Sequence, residues 1–136
     1  MHQPNVYVDP TEHFSFLVPN GWSTDTSGQQ GESVMLFAPE VDDNFRANVN
    51  VIVQELAPWT PEEYVTISRL QLKKLSNLAA LPVDGPAPRL PGSWLLEWTT
   101  WEAPIPVRGR QLIAFRAGRA FVVTATATAA SFARHR

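Results

Sequence analysis

Few residues in this chain have the types and spacing that catalysis or metal binding requires. The three histidines, His2, His13 and His135, lie far apart and form no i, i+3 or i, i+4 pair of the kind that binds a metal. The run 42–44, Asp-Asp-Asn, groups oxygen ligands, but the positions after it do not continue the alternating ligands of a calcium loop. We therefore interpret the run as an acidic turn and expect no metal site.

Nucleophilic and nucleotide chemistry also lack their motifs. The chain has no cysteine, no G-x-S-x-G serine and no glycine-rich phosphate loop. Glu97 is the best candidate for a carboxylate with a shifted pKa, because Leu96 and Trp98 flank it. Arg108 or Arg110 on the next predicted strand would be its partner. We interpret Glu97 as part of a structural cross-strand ion pair, and we predict a protein that is not an enzyme and needs no cofactor.

Aromatic residues are the stronger indication of function. The chain of 136 residues contains five tryptophans, a residue type enriched in cores and at binding surfaces, and we expect at least three of them in the core. Trp59 precedes the predicted helix, and Trp101 lies at a strand end beside a proline-rich loop. We expect these two to be exposed and to line an apolar cleft with Tyr64 or Ile105, so the four form the candidate binding set.

Composition limits the class of protein. A chain of 136 residues with 44% hydrophobic and 18% charged residues predicts a single globular domain, residues 1–136. The net charge of -2 and the pI near 5.9 argue against a nucleic-acid partner. No apolar run approaches the roughly 20 residues of a membrane helix, which predicts a soluble protein without membrane insertion. Residues 1–4 do not resemble a signal peptide, so we expect a cytoplasmic location for the chain as written, or an extracytoplasmic one if a signal or anchor was removed.

Hydrophobic periodicity predicts an α+β fold. Thr60, Pro61 and Glu63 form a capping box with proline at the first helical position, which predicts one main helix over 61–77. Alternating segments predict strands at 14–18, 34–38 (ended by Pro39), 47–56, 93–101, 107–116 and 120–129, and a further strand is predicted to start at Trp22 and to fade within 24–32. The last three should form an antiparallel meander. The proline-rich segment 79–92 is predicted to be a loop.

The order of these features resembles the PsbP/Mog1-like superfamily, and within it the DcrB-related proteins. The resemblance rests on F-x-F-x-x-P-x-G-W at 14–22, the one-sided valine strand, T-P-E-E-Y at 60–64, the tryptophan-bearing strand and the threonine-rich meander. It implies a sandwich with a central antiparallel sheet of about six strands, helices on its faces, and binding or scaffolding roles. Members usually carry a closing helix after the last strand, and we expect that helix to be reduced or missing here.

These observations predict a noncatalytic binding domain. It would hold a peptide, a hydrophobic segment or a small apolar ligand on an aromatic-rimmed sheet face. One alternative, implied by the DcrB-related proteins associated with type VI secretion effectors, is a chaperone or adaptor that forms a homodimer around an apolar groove. An extracytoplasmic lipoprotein-type domain and an enzyme of unknown class are the other two alternatives.

Overall fold

The computed structural model describes residues 5–8, 15–18, 21–26, 34–42, 45–79, 82–87, 90–102 and 105–128. Within these ranges the chain forms one helix and nine strands. In chain order they are β1 (Asn5–Val8), β2 (Ser15–Val18), β3 (Ser23–Asp25), β4 (Val34–Asp42), β5 (Phe45–Glu55), α1 (Pro61–Lys73), β6 (Val83–Pro86), β7 (Trp94–Glu102), β8 (Ile105–Arg116) and β9 (Arg119–Thr128). The segment after β9, where the closing helix is expected to be reduced or missing, and most of the predicted acidic turn at 42–44 lie outside the described residues.

Seven of the strands form one antiparallel sheet, in the order β3-β4-β5-β9-β8-β7-β6, and β1 pairs with β2 separately. The predicted sheet of about six strands is therefore corrected to seven. The predicted meander is present as β7-β8-β9, and its β8–β9 turn has positive φ angles at Ala117 and Gly118. With α1 on one face, the described chain is an α+β sandwich.

Strand β6 of this sheet was not predicted, because it lies within the segment expected to be a loop. It is an edge strand, and its partner is β7, with Val83 opposite Glu97 and Pro86 opposite Trp94. Its sequence, Val-Asp-Gly-Pro, has little strand propensity, so local pattern does not reveal it. The adjacent edge of β7 supplies the pairing.

Two predicted element ends are also corrected. Strand β4 continues past Pro39 to Asp42. A register shift between Phe37 and Val41 accommodates Pro39, which has no backbone N–H group to donate to the neighbouring strand. The helix begins at Pro61 with the predicted capping box, but it ends at Lys73 and not at Asn77. Beyond it, Asn77 and Leu78 pair with the end of β7, which takes the chain out of the helix.

The core lies on both faces of the sheet. On the face that carries α1, which we call the helix face, Leu72 packs with Leu96, Ile113, Ala120 and Val122. On the opposite face a second cluster contains Val34, Leu36 and Val51, against which Trp22 packs. Gly21 precedes this tryptophan with a φ of 81°, a positive value that glycine adopts at little steric cost.

Candidate functional site

Helix α1 covers only part of the helix face, and a cleft lies along one side of it. The capping box starts the helix near the β8–β9 turn, where the N–H of Leu56 donates to the carbonyl of Gly118. The cleft, called the α1 cleft below, has a volume of about 340 Å³. Its lining consists of Ile52, Gln54, Tyr64, Ser68, Gln71, Leu72, Leu75, Trp98, Gln111, Val122 and Thr124.

None of these lining residues is charged, yet about half carry hydrogen-bonding groups. The Gln111 amide donates to the Thr124 hydroxyl at 3.1 Å, and the Tyr64 hydroxyl donates to Oε1 of Gln54 at 2.5 Å. The Ser68 hydroxyl donates to the carbonyl of Tyr64 at 2.9 Å. Burial raises the pKa of the Tyr64 hydroxyl, so this group stays protonated and remains a donor near neutral pH.

The aromatic floor of the α1 cleft is Trp98. Its cross-strand partner is Gly109, and a Cβ atom placed on Gly109 would lie 2.1 Å from Cε2 and 2.5 Å from Nε1 of the indole. The ring therefore lies directly over the backbone of β8. This packing requires glycine at 109 and holds the ring across the sheet.

A buried acceptor lies next to the cleft. Asn50 on β5 is directly opposite Thr124 on β9, so both side chains are on the helix face. Its Oδ1 atom is buried and has no hydrogen-bond partner among the residues that the structure describes. Buried polar atoms are usually satisfied, so this oxygen is an exception among the described residues, and Asn50 itself is not part of the cleft lining.

A second recess lies on the other side of α1, between the helix and the β6–β7 end of the sheet. Asp84 on β6 organises its rim. One carboxylate oxygen accepts from Nε1 of Trp94 at 2.6 Å and from Nε of Arg69 at 2.8 Å, and Arg69 lies over the Trp94 ring. Burial alone would raise the pKa of Asp84, but hydrogen bonds from Arg69 and Trp94 and the charges of Arg69 and Lys73 lower it overall. This recess is therefore bordered by a charged, internally bonded cluster, whereas the lining of the α1 cleft is uncharged.

The four predicted binding residues do not form one cleft. Tyr64 lines the α1 cleft, whereas Trp59, 46% exposed, lies in the loop just before α1. Trp101, 50% exposed, is at the far end of β7, where it pairs with Pro106. Side chains alternate between the two faces along a strand, and Trp101 is three residues after Trp98, so its side chain is on the opposite face. Ile105 is on the helix face at that same far end. The shared rim of these residues is therefore corrected, and their individual binding roles stay predictions.

Glu97 lies on the opposite face, away from the α1 cleft. Its Oε2 atom is 3.1 Å from Nη2 of Arg108 and 3.2 Å from Nη2 of Arg110. Pairing of one carboxylate with both arginines fits the structural interpretation of these residues. A charged cluster of this kind does not contribute to the uncharged α1 cleft.

Sequence reasoning missed the residues that build the cleft with Tyr64, above all Trp98, Gln111 and Thr124. A signal for them was present. The alternation of β7 puts Trp98 on the same face as Leu96, and the threonine ladder of β9 includes Thr124. Sequence periodicity does not indicate where α1 lies on the sheet. In the structure the helix covers the apolar part of this face and leaves the polar part open.

Among the described residues, no three His, Cys, Asp or Glu side chains are grouped so that they could hold a metal ion. The helix found in the described ranges is not long and apolar enough to cross a membrane.

Comparisons with known proteins bear on the fold. The sequence matches no protein-family profile and no curated protein. The structure is similar to the cyanobacterial PsbP protein (CyanoP) of Synechocystis, with a TM-score of 0.64, 15% identity, and coverage of 96% of this chain and 83% of that one.

LpqN of Mycobacterium tuberculosis, described as involved in cell envelope biogenesis, has a TM-score of 0.60 at 14% identity over 97% of this chain and 76% of that one. PA94, a Pseudomonas aeruginosa protein of unknown function, has a TM-score of 0.55 at 15% identity over 98% of this chain and 89% of that one. The likeness is one of fold alone and is consistent with a PsbP-like α+β sandwich.

Proposed function

We propose that this protein is a noncatalytic binding domain that holds a small uncharged ligand with an apolar face in the α1 cleft. The observation that carries the proposal is the lining, which combines an aromatic floor and aliphatic walls with uncharged hydrogen-bonding groups. Ligand sites have this make-up, with a mostly apolar surface and a few polar groups that set orientation. The volume of about 340 Å³ is near the lower end of the range for small-molecule sites, roughly 300–1,000 Å³.

The absence of charge from the described lining argues for an uncharged ligand. A charged group that entered the cleft would lose water, and the lining offers no opposite charge to compensate. The lining also offers no carboxylate or histidine for acid–base chemistry, which supports a binding role over an enzymatic one. An extended peptide or hydrophobic segment remains the other form of the binding hypothesis, and it would need the cleft to widen.

Two helix variants test the proposal. Ser68 and Thr66 both donate a hydroxyl hydrogen bond to the carbonyl four residues earlier on α1, but only Ser68 lines the α1 cleft. Leucine favours the helix at either position. Ser68→Leu should fill the cleft, whereas Thr66→Leu leaves it open and is the matched control.

The probe is indole, a small neutral molecule with an apolar face, titrated by NMR and calorimetry. We expect a saturable shift of the Trp98 indole signal, at least tenfold weaker binding in Ser68→Leu, and unchanged binding in Thr66→Leu. Circular dichroism checks that both variants fold. Equal binding by the wild-type protein and Ser68→Leu, or no saturable binding, would overturn the proposal.

A chaperone or adaptor related to the DcrB-related proteins is the second candidate. It is supported by large apolar side chains on the face away from α1, where Val83 is 63% exposed and Trp101 also reaches solvent. This candidate predicts a homodimer that buries these residues. Light scattering should then show a dimer for the wild-type protein and a monomer for Trp101→Ser. A monomer at every concentration for both proteins would contradict the chaperone candidate.

The cellular location of the protein is also a matter of proposal. The description of LpqN as involved in cell envelope biogenesis supports the extracytoplasmic alternative, and a cytoplasmic location is the other candidate. Fractionation of cells that express the full gene product, followed by immunoblotting, distinguishes the two.

A further inference from the structure

We infer that the ligand class of the α1 cleft is a neutral saccharide, held with one sugar ring stacked on Trp98. This inference rests on the proposed function and specifies its ligand. It depends on two features of the described residues: the indole floor, and the amide and hydroxyl groups that surround it.

The floor suits a ring-shaped ligand. Because the indole of Trp98 lies directly over Gly109, one side of the ring faces the backbone and the other is available to the cleft that it lines. A sugar ring presents a flat array of C–H groups on one side. Such a side packs on an aromatic face as other apolar groups do, with additional attraction from the ring electrons.

The walls suit hydroxyl groups. Three carboxamides, Gln54, Gln71 and Gln111, and two hydroxyls, Ser68 and Thr124, line the cleft together with the Tyr64 hydroxyl. An amide offers both a donor and an acceptor, and each sugar hydroxyl also does both. A purely apolar ligand would cover these groups without replacing their bonds to water, which costs free energy.

The size and charge of the cleft favour a short saccharide over a peptide. An extended peptide usually adds to a sheet edge, whereas this cleft lies over the central strands β5, β9 and β8 under a helix. The uncharged lining also favours neutral sugars over uronic acids.

The experiment is an NMR and calorimetric titration with maltose, cellobiose and glucuronic acid, beside the indole titration of the wild-type protein. Gln111→Leu and Thr124→Val remove hydrogen-bonding groups from the cleft while keeping side-chain size. Thr99→Val, on the opposite face of β7, is the matched control. We expect at least one neutral disaccharide to shift the Trp98 indole signal, with at least tenfold weaker binding in Gln111→Leu and Thr124→Val and unchanged binding in Thr99→Val.

The outcomes separate the two hypotheses. If indole binds in the cleft and neither disaccharide does, the saccharide inference fails and the proposed function stands. If neither indole nor a disaccharide binds, both fail. Glucuronic acid that binds as tightly as the neutral sugars, or disaccharide binding that Gln111→Leu and Thr124→Val leave unchanged, would also overturn the saccharide inference.

Discussion

Trp98 and Gly109 face each other across β7 and β8, and the indole occupies the space where a side chain at 109 would begin. A Cβ atom there would lie 2.1 Å from the ring. Gly109 is buried, and Trp98 also packs against the cluster around Leu72. The pair therefore connects the meander, the core under α1 and the floor of the α1 cleft.

Gly109→Ala should destabilise the protein by about 2 kcal/mol, because the added methyl group displaces the Trp98 ring. Chemical denaturation followed by tryptophan fluorescence measures this free energy of unfolding. Gly85→Ala is the matched control, since a Cβ atom at this strand glycine meets nothing within 4 Å. We expect that control to stay within about 0.5 kcal/mol of the wild-type protein.

A double-mutant cycle identifies the cause. In a Trp98→Leu background the cost of Gly109→Ala should fall by more than half, because the displaced ring is gone. An equal cost in both backgrounds would show that the backbone of β8, and not the indole, requires glycine.

Asp84→Asn should reduce stability by about 1 kcal/mol near neutral pH, because it removes the charged partner of Arg69 and weakens the hydrogen bond from Trp94. The pKa of Asp84 is lowered in the folded protein from its ordinary value of 3.8. The stabilisation is therefore fully present above that value and is lost as the pH falls towards the folded-state pKa. Denaturation curves of both proteins should differ at pH 7 and converge below pH 3.8.

The direction in which the stability difference between the wild-type protein and Asp84→Asn changes with pH tests this prediction. A stability difference that grows as the solution becomes more acidic would contradict a lowered pKa for Asp84. Lys74→Met, which removes a nearby helix charge without touching Asp84, should leave the pH profile of the wild-type protein almost unchanged.

Glu97→Gln should cost about 1–2 kcal/mol of stability, because both Arg108 and Arg110 lose a charged acceptor. Glu55→Gln is the matched control. The Glu55 side chain is 77% exposed, against 22% for Glu97, and its Oε1 atom is 3.7 Å from Nε of Arg119. Solvent screens such a pair, so we expect a change below about 0.5 kcal/mol. Equal effects in thermal denaturation would contradict a structural role for Glu97.

Local signals in the sequence determined the start of α1 and the faces of the long strands. Thr60 and Glu63 satisfy the first N–H groups of the helix within four residues, so their effect needs no tertiary contact. Likewise, the period of two in β7 and β9 determines which side chains share a face wherever the strands pair. These features, and the resemblance to the PsbP/Mog1-like architecture, were accessible from residues alone.

Long-range pairing decided the rest. The helix ends at Lys73 because residues 77 and 78 bond to β7, and Val83–Pro86 is a strand because the edge of β7 was free to pair with it. The α1 cleft exists because the helix covers the apolar half of its sheet face and leaves Gln111 and Thr124 beside Trp98. Such placements depend on contacts between residues distant in the chain, whereas periodicity and capping act only over a few neighbours.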